Sequence, residues 1–149
     1  NNFLGVPVPP RFVGFEVTVD PEDPATLALE LAEALAGAVR HDANEQSLDQ
    51  QAATERAKAD ALVALCERVR EYRSGPPEQR RRMDPMATYD LVVMRDEIEE
   101  LRKRAQDLDD LADASHRKAE ECRARVPELT ERIRKANASR RKERDDADA

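Results

Sequence analysis

LVVMRDEIEELRKRAQDLDDLADASHRKAEECRARVPELTERIRKA, residues 91–136, decides the fold. Within it fourteen positions recur at an unbroken 3-4-3-4 spacing: Leu91, Met94, Ile98, Leu101, Ala105, Leu108, Ala112, Ser115, Ala119, Cys122, Val126, Leu129, Ile133 and Ala136. That spacing keeps one face of an α-helix turned toward a partner helix over its whole length. A seam this long cannot bury itself, so another helix must lie along it. The expected fold class is all-α: a long antiparallel two-helix coiled-coil hairpin, with an extended N-terminal arm that contains one short β-strand.

Composition agrees with a thin seam and argues against a compact globule. Of the 149 residues 38% are charged and 3% aromatic, there is no Trp, and the mean hydropathy is -0.80. Chains rich in Ala, Glu, Arg and Leu with heptad spacing read as long helix or coiled coil. The net charge is -7, but its sign varies along the chain. Arg132 to Arg144 holds seven basic residues against one acidic, and Arg70 to Arg82 holds five Arg against two Glu. No apolar run reaches the ~18 residues of a membrane span, and no signal peptide is expected, because the N-terminal stretch lacks a basic segment followed by a continuous apolar one. The expected location is cytoplasmic or within an assembled particle.

The first twenty residues form a different material, the arm of residues 1–20. FLGVPVPPRF is interrupted by prolines that hold it extended. Near 12–19, Val13, Phe15, Val17 and Val19 alternate with Gly14, Glu16, Thr18 and Asp20, the period-2 pattern of a strand with one apolar face. All three Phe of the protein, Phe3, Phe12 and Phe15, lie in this arm. A lone strand must find cover, either on its own helices or on a neighbour. The expected partner-binding residues are therefore Phe3, Phe12, Val13, Phe15, Val17 and Val19.

DPEDPA (residues 20–25) starts a helix, with Asp caps and Pro in the first turn, so the first helix is placed at 21–73. Gly75-Pro76-Pro77 ends it, and residues 74–84 form a Pro/Gly/Arg linker at the hairpin tip. Asp84-Pro85 signals a second helix over 85–138, with a kink near 123–127 where Pro127 removes a backbone bond to Arg123. Residues 139–149 read as a charged, frayed tail.

The first helix carries a seam of its own: Leu27, Leu31, Ala34, Ala38, His41, Glu45, Leu48, Ala52, Glu55, Ala59, Leu62, Cys66 and Val69. With a turn near residue 80, facing residues should have numbers that add to about 160. That rule sets Leu31 against Leu129, Leu62 against Ile98, Cys66 against Met94, and Tyr72 against Tyr89 at the tip. The helix-seam anchors expected to matter most are Leu31, Leu62, Val69, Leu91, Ile98, Leu101, Leu108, Leu129 and Ile133. The same register separates Cys66 from Cys122 by many turns, beyond the ~7 Å that a disulfide allows. A parallel dimer through the second helix is the competing arrangement, and would set Cys122 against its own copy.

Few residues offer chemistry. His41 and Glu45 fall level with His116 and Glu120, the candidate set for a divalent metal, although His116 and Glu120 sit on the flank of their seam. No nucleophile–base spacing, dinucleotide fingerprint or P-loop is present. No enzyme activity, metal or cofactor is expected. The expectation is a structural or assembly protein, a helical-hairpin spacer whose arm docks on its own copies or on another subunit of a larger complex, such as a phage-like virion, connector or secretion assembly. The alternative is a regulatory or nucleic-acid-associated coiled coil that uses Arg80–Arg82 or the basic stretch Arg132–Arg144. No membrane partner is expected.

Overall fold

A computed structural model describes residues 23–77 and 90–148, which form two α-helices, α1 (Pro24–Ser74) and α2 (Leu91–Asp148). The described fold is all-α, two helices packed against each other as a hairpin, with no strand among the described residues. The arm with its expected strand, the tip residues Arg80–Arg82 and Tyr89 lie outside the described residues.

The helix ends follow from local chemistry. Asp23 caps α1: its carboxylate Oδ2 accepts from the Thr26 N–H at 3.2 Å and from Thr26 Oγ1 at 3.1 Å. Its carbonyl accepts the Leu27 N–H at 3.0 Å, and Pro24 takes the first helical position, where a missing N–H costs nothing. At the other end Ser74 Oγ donates to the Arg70 carbonyl at 2.8 Å, before Gly75-Pro76-Pro77 stops the helix.

Among the described residues, helix α2 begins at Leu91. Its cap is Asp90, whose Oδ1 accepts the Val92 N–H at 2.8 Å and the Val93 N–H at 3.3 Å. The Asp84-Pro85 start lies outside the described residues. The helix also runs to Asp148, past the Ala138 end read from the seam, so the charged stretch up to that residue is helical. Arg, Lys, Glu and Ala are good helix formers, and propensity carries the helix beyond its packing partner. Pro127 lies inside α2, which passes through it without interruption. An internal proline costs ~3 kcal/mol; burial of Leu129 and partial burial of Val126 and Ile133 beside it offset that cost.

The chain divides into two compact units. In the first, residues 23–38 pair with 120–148 around a cluster of Leu27, Ala34, Leu129 and Ala136, flanked by Leu31, Val126 and Ile133. Leu27 and Leu129 are 0% and 1% exposed. In the second, the described parts of 39–119 pair around Ala59, Cys66, Met94, Ile98 and Leu101, flanked by Leu62, Val63, Leu65 and Leu91. Within each unit the two helices run antiparallel. Asp23 meets Arg140 and Glu30 meets Arg125 in the first; Asn44 meets Ser115 and Arg56 meets Asp109 in the second. The numbers of these pairs add to between 155 and 165, around the 160 read from the sequence.

All thirteen α1 and all fourteen α2 seam positions are buried or half-buried. Of the anchors, Val69, Ile98, Leu101 and Leu129 are buried, while Leu31, Leu62, Leu91, Leu108 and Ile133 are half-buried, since a two-helix seam has open flanks. Leu35 and Val39 continue the apolar row of the first helix in sequence, yet both are exposed.

Candidate functional site

Polar groups that meet across the helices concentrate in the second unit, where seam residues are small. Asn44 Nδ2 donates to Ser115 Oγ at 2.7 Å, and Ser115 is the one polar residue among the buried seam positions described. One residue further along, His116 Nδ1 lies 3.2 Å from Glu45 Oε1. Two residue-specific bonds at one level fix which turn of α1 opposes which turn of α2, because a slip of a single heptad would leave Asn44 and Ser115 without each other.

The four candidate metal residues do not converge. His116 is taken up by Glu45, whereas Glu120 accepts from Arg123 Nη2 at 2.8 Å on its own helix. Among the described residues no three His, Cys, Asp or Glu side chains are grouped as a metal site would require. The flank positions of His116 and Glu120 on the heptad were the signal for this outcome. Cys66 is buried, Cys122 half-buried, and both are free thiols.

A groove of about 320 Å³ in the second unit is lined by Arg56, Ala59, Asp60, Arg102 and Gln106. Arg56 also grips Asp109 with both guanidinium nitrogens, and that hydrogen bond holds the Asp109 carboxyl below the ordinary aspartate range and the guanidinium above its own. The lining offers charge for ion pairing, from Arg56, Arg102 and Asp60. Glu55 sits in the seam with Lys58 and Arg104 at 3.6 and 4.0 Å; its Oε2 is buried and accepts no hydrogen bond within the described residues.

The basic stretch Arg132–Arg144 is part of α2. At 100° per residue its seven cations point around the whole circumference and form no stripe along one side. Several are spent locally: Arg134 on Glu131 at 2.6 Å, Arg132 near Glu128 at 3.9 Å, and Arg140 on Asp23 at 2.8 Å. The Arg134 bond depresses the Glu131 carboxyl. Arg140, Arg141 and Arg144 line a groove of about 430 Å³ beside Asp23, Pro24, Ala25 and Asn137. The Asp23 carboxylate in this groove already answers the α1 N-terminus.

An apolar surface outside the seam was missed by the heptad reading. Leu29 is 66% and Leu35 51% exposed, and Ala25, Ala28, Ala32 and Ala36 around them are exposed as well. The b, e and f positions of a heptad are normally polar, so a repeat template tests only a and d and passes over them. The all-round apolarity of PATLALELAEALAGA, residues 24–38, was the available signal.

Among the described residues no helix is long and apolar enough to cross a membrane. No protein-family model, no curated protein and no solved structure matches the chain. The functional reading therefore rests on the geometry of this molecule alone.

Proposed function

We propose that the protein is a non-enzymatic structural or assembly component, a helical-hairpin spacer whose N-terminal arm docks on a neighbouring subunit of a larger complex such as a phage-like virion, a connector or a secretion assembly. The observation that supports this reading most is the seam. Every a and d position from Leu27 to Val69 and from Leu91 to Ala136 is committed to holding the two helices together. Among the described residues, what remains outside it is mostly charged helix surface with an apolar patch on α1, and the arm's sequence holds all three Phe of the chain. Phe12 and Phe15 are its leading anchors, with Phe3, Val13, Val17 and Val19 beside them. The scattered, partly ion-paired cations of Arg132–Arg144 favour this reading over nucleic-acid binding, which works best with basic residues gathered on one side.

Light-scattering mass after gel filtration tests it, on the full chain and on a chain starting at Asp23, which keeps the α1 cap. The expected result is an oligomeric full chain and a monomeric shortened chain that stays helical. Equal masses for both overturn docking between copies. Steeply salt-dependent binding of DNA or RNA by the full chain would favour the alternative instead.

A further inference from the structure

Positive charge is left unbalanced where α1 begins beside α2. Asn137, Arg140, Arg141 and Arg144 follow one another at i, i+3, i+4 and i+7, so they share an arc of about 100° on α2. Together with the start of α1 at Asp23 they line the groove of about 430 Å³ in the first unit. Three guanidinium groups therefore meet one carboxylate, a surplus of two positive charges. That carboxylate is engaged on both oxygens: Asp23 Oδ1 accepts from Arg140 at 2.8 Å, and Oδ2 accepts from Thr26. Arg141 and Arg144 make no ion pair or hydrogen bond among the described residues.

Their neighbours on α2 leave them so. Asp145 and Asp148 stand four residues after Arg141 and Arg144, but a base that precedes an acid is the weaker order for a pair at that spacing. The last turns of α2 also run past Arg140, the residue that meets Asp23, and both arginines are exposed.

We propose that this groove binds a phosphoryl dianion, gripped by Arg141 and Arg144 with Asn137 as a further donor. The two arginines are about 4.5 Å apart along the helix axis and about 60° apart around it. Each can turn a pair of N–H donors toward one tetrahedral oxyanion, the geometry that the planar guanidinium fork suits. A surplus of two charges selects a dianion over a carboxylate, which would cancel only one of them. Asn137 lies one turn before Arg141 and adds an amide donor without adding charge. The site is built from α2 side chains and not from the N-terminal N–H groups of α1, where Asp23 already caps. Arg132, Lys135 and Lys142 fall outside the arc, and Arg134 is spent on Glu131. The arrangement therefore holds one phosphate and does not follow a nucleic-acid strand, which needs a longer basic stripe. It does not depend on what the arm docks on.

Equilibrium dialysis of the full chain against radiolabelled inorganic phosphate tests the site, at fixed ionic strength and a mildly alkaline pH that keeps phosphate dianionic. Saturable binding of one phosphate per chain is expected. Arg141→Gln combined with Arg144→Gln should weaken it about ten-fold or more. Helical circular dichroism should not change, because both side chains are exposed and Gln is a good helix former. Arg117→Gln combined with Lys118→Gln removes two exposed cations from the second unit and should leave binding intact. Acetate should not displace the phosphate. Displacement by O-phosphoserine upholds the site for a phosphate carried on a larger molecule, and its failure to displace upholds it for the free ion. Absence of saturable binding overturns the proposal, as does an equal loss in both double variants, which would reduce the effect to net charge. Displacement by an oligonucleotide at far lower concentration overturns the single-phosphate site in favour of nucleic acid.

Discussion

Two stretches of the second unit solve the same packing problem with different materials. Around Cys66 and Ile98 the helices meet through Leu62, Met94 and Leu101, large apolar side chains that fill the seam. Between Asn44 and Glu55 on α1, opposite 104–115 on α2, the buried positions are Ala52, Ala105, Ala112 and Ser115. The flanks there are bridged by Asn44–Ser115, Glu45–His116, Glu55–Arg104 and Arg56–Asp109. Large apolar residues contribute about 1.5–3 kcal/mol each when fully buried but tolerate a slip to the next heptad. Small residues with directed polar bonds contribute little and tolerate no slip. The apolar stretch supplies the stability of the unit and the polar stretch its register.

Cutting the apolar stretch should have the largest effect. Ile98→Ala removes buried volume that a two-helix seam refills only partly, and is expected to cost about 2–4 kcal/mol, read as a lower urea midpoint. A loss no larger than that of an exposed substitution such as Leu111→Ala would show that the cluster does not carry the unit. The polar stretch should respond in the opposite direction. Glu55→Leu replaces a seam carboxylate whose Oε2 accepts no hydrogen bond within the described residues, and should raise stability by about 1–2 kcal/mol. If the division of labour holds, the same substitution broadens the cross-link pattern between α1 and α2, as alternative registers become populated; a destabilised variant would make Glu55 a stabilising partner of Arg104.

The smallest effect belongs to the exposed Arg56–Asp109 pair. Hydrogen bonding to Arg56 keeps the Asp109 carboxyl below its ordinary value. Its contribution is therefore complete above the usual aspartate pKa of about 3.9 and is lost as pH falls through the lowered folded value. Asp109→Asn should lower the unfolding midpoint slightly at neutral pH, less so in high salt, and not at all in strong acid. A difference that persists in strong acid would mean the asparagine disturbs packing and not charge.

Much of this architecture could be read before any coordinates. The 3-4 spacing of both seams, a helix start within DPEDPA and the Gly75-Pro76-Pro77 stop each depend on residues close together in the chain. The pairing of Glu45 with His116, the withdrawal of Glu120 to Arg123 and the choice of Asp90 as the α2 cap were not legible in that way. Long charged side chains reach several neighbours, and the packed helices select among them.

The sequence by itself determined two helices and the positions that would face inward, because periodicity is a property of each helix alone; the antiparallel pairing was one of two arrangements until the helices were seen packed together. Only the tertiary structure decided which apolar residues stay uncovered. The 3-4 spacing already set Leu31 apart from Leu35, but the apolar stretch 24–38 left open how wide an arc of α1 the partner helix would cover; about 400° of rotation separates these two residues, a whole turn plus 40°. That difference carries Leu31 into the flank of the seam and leaves Leu35 outside it.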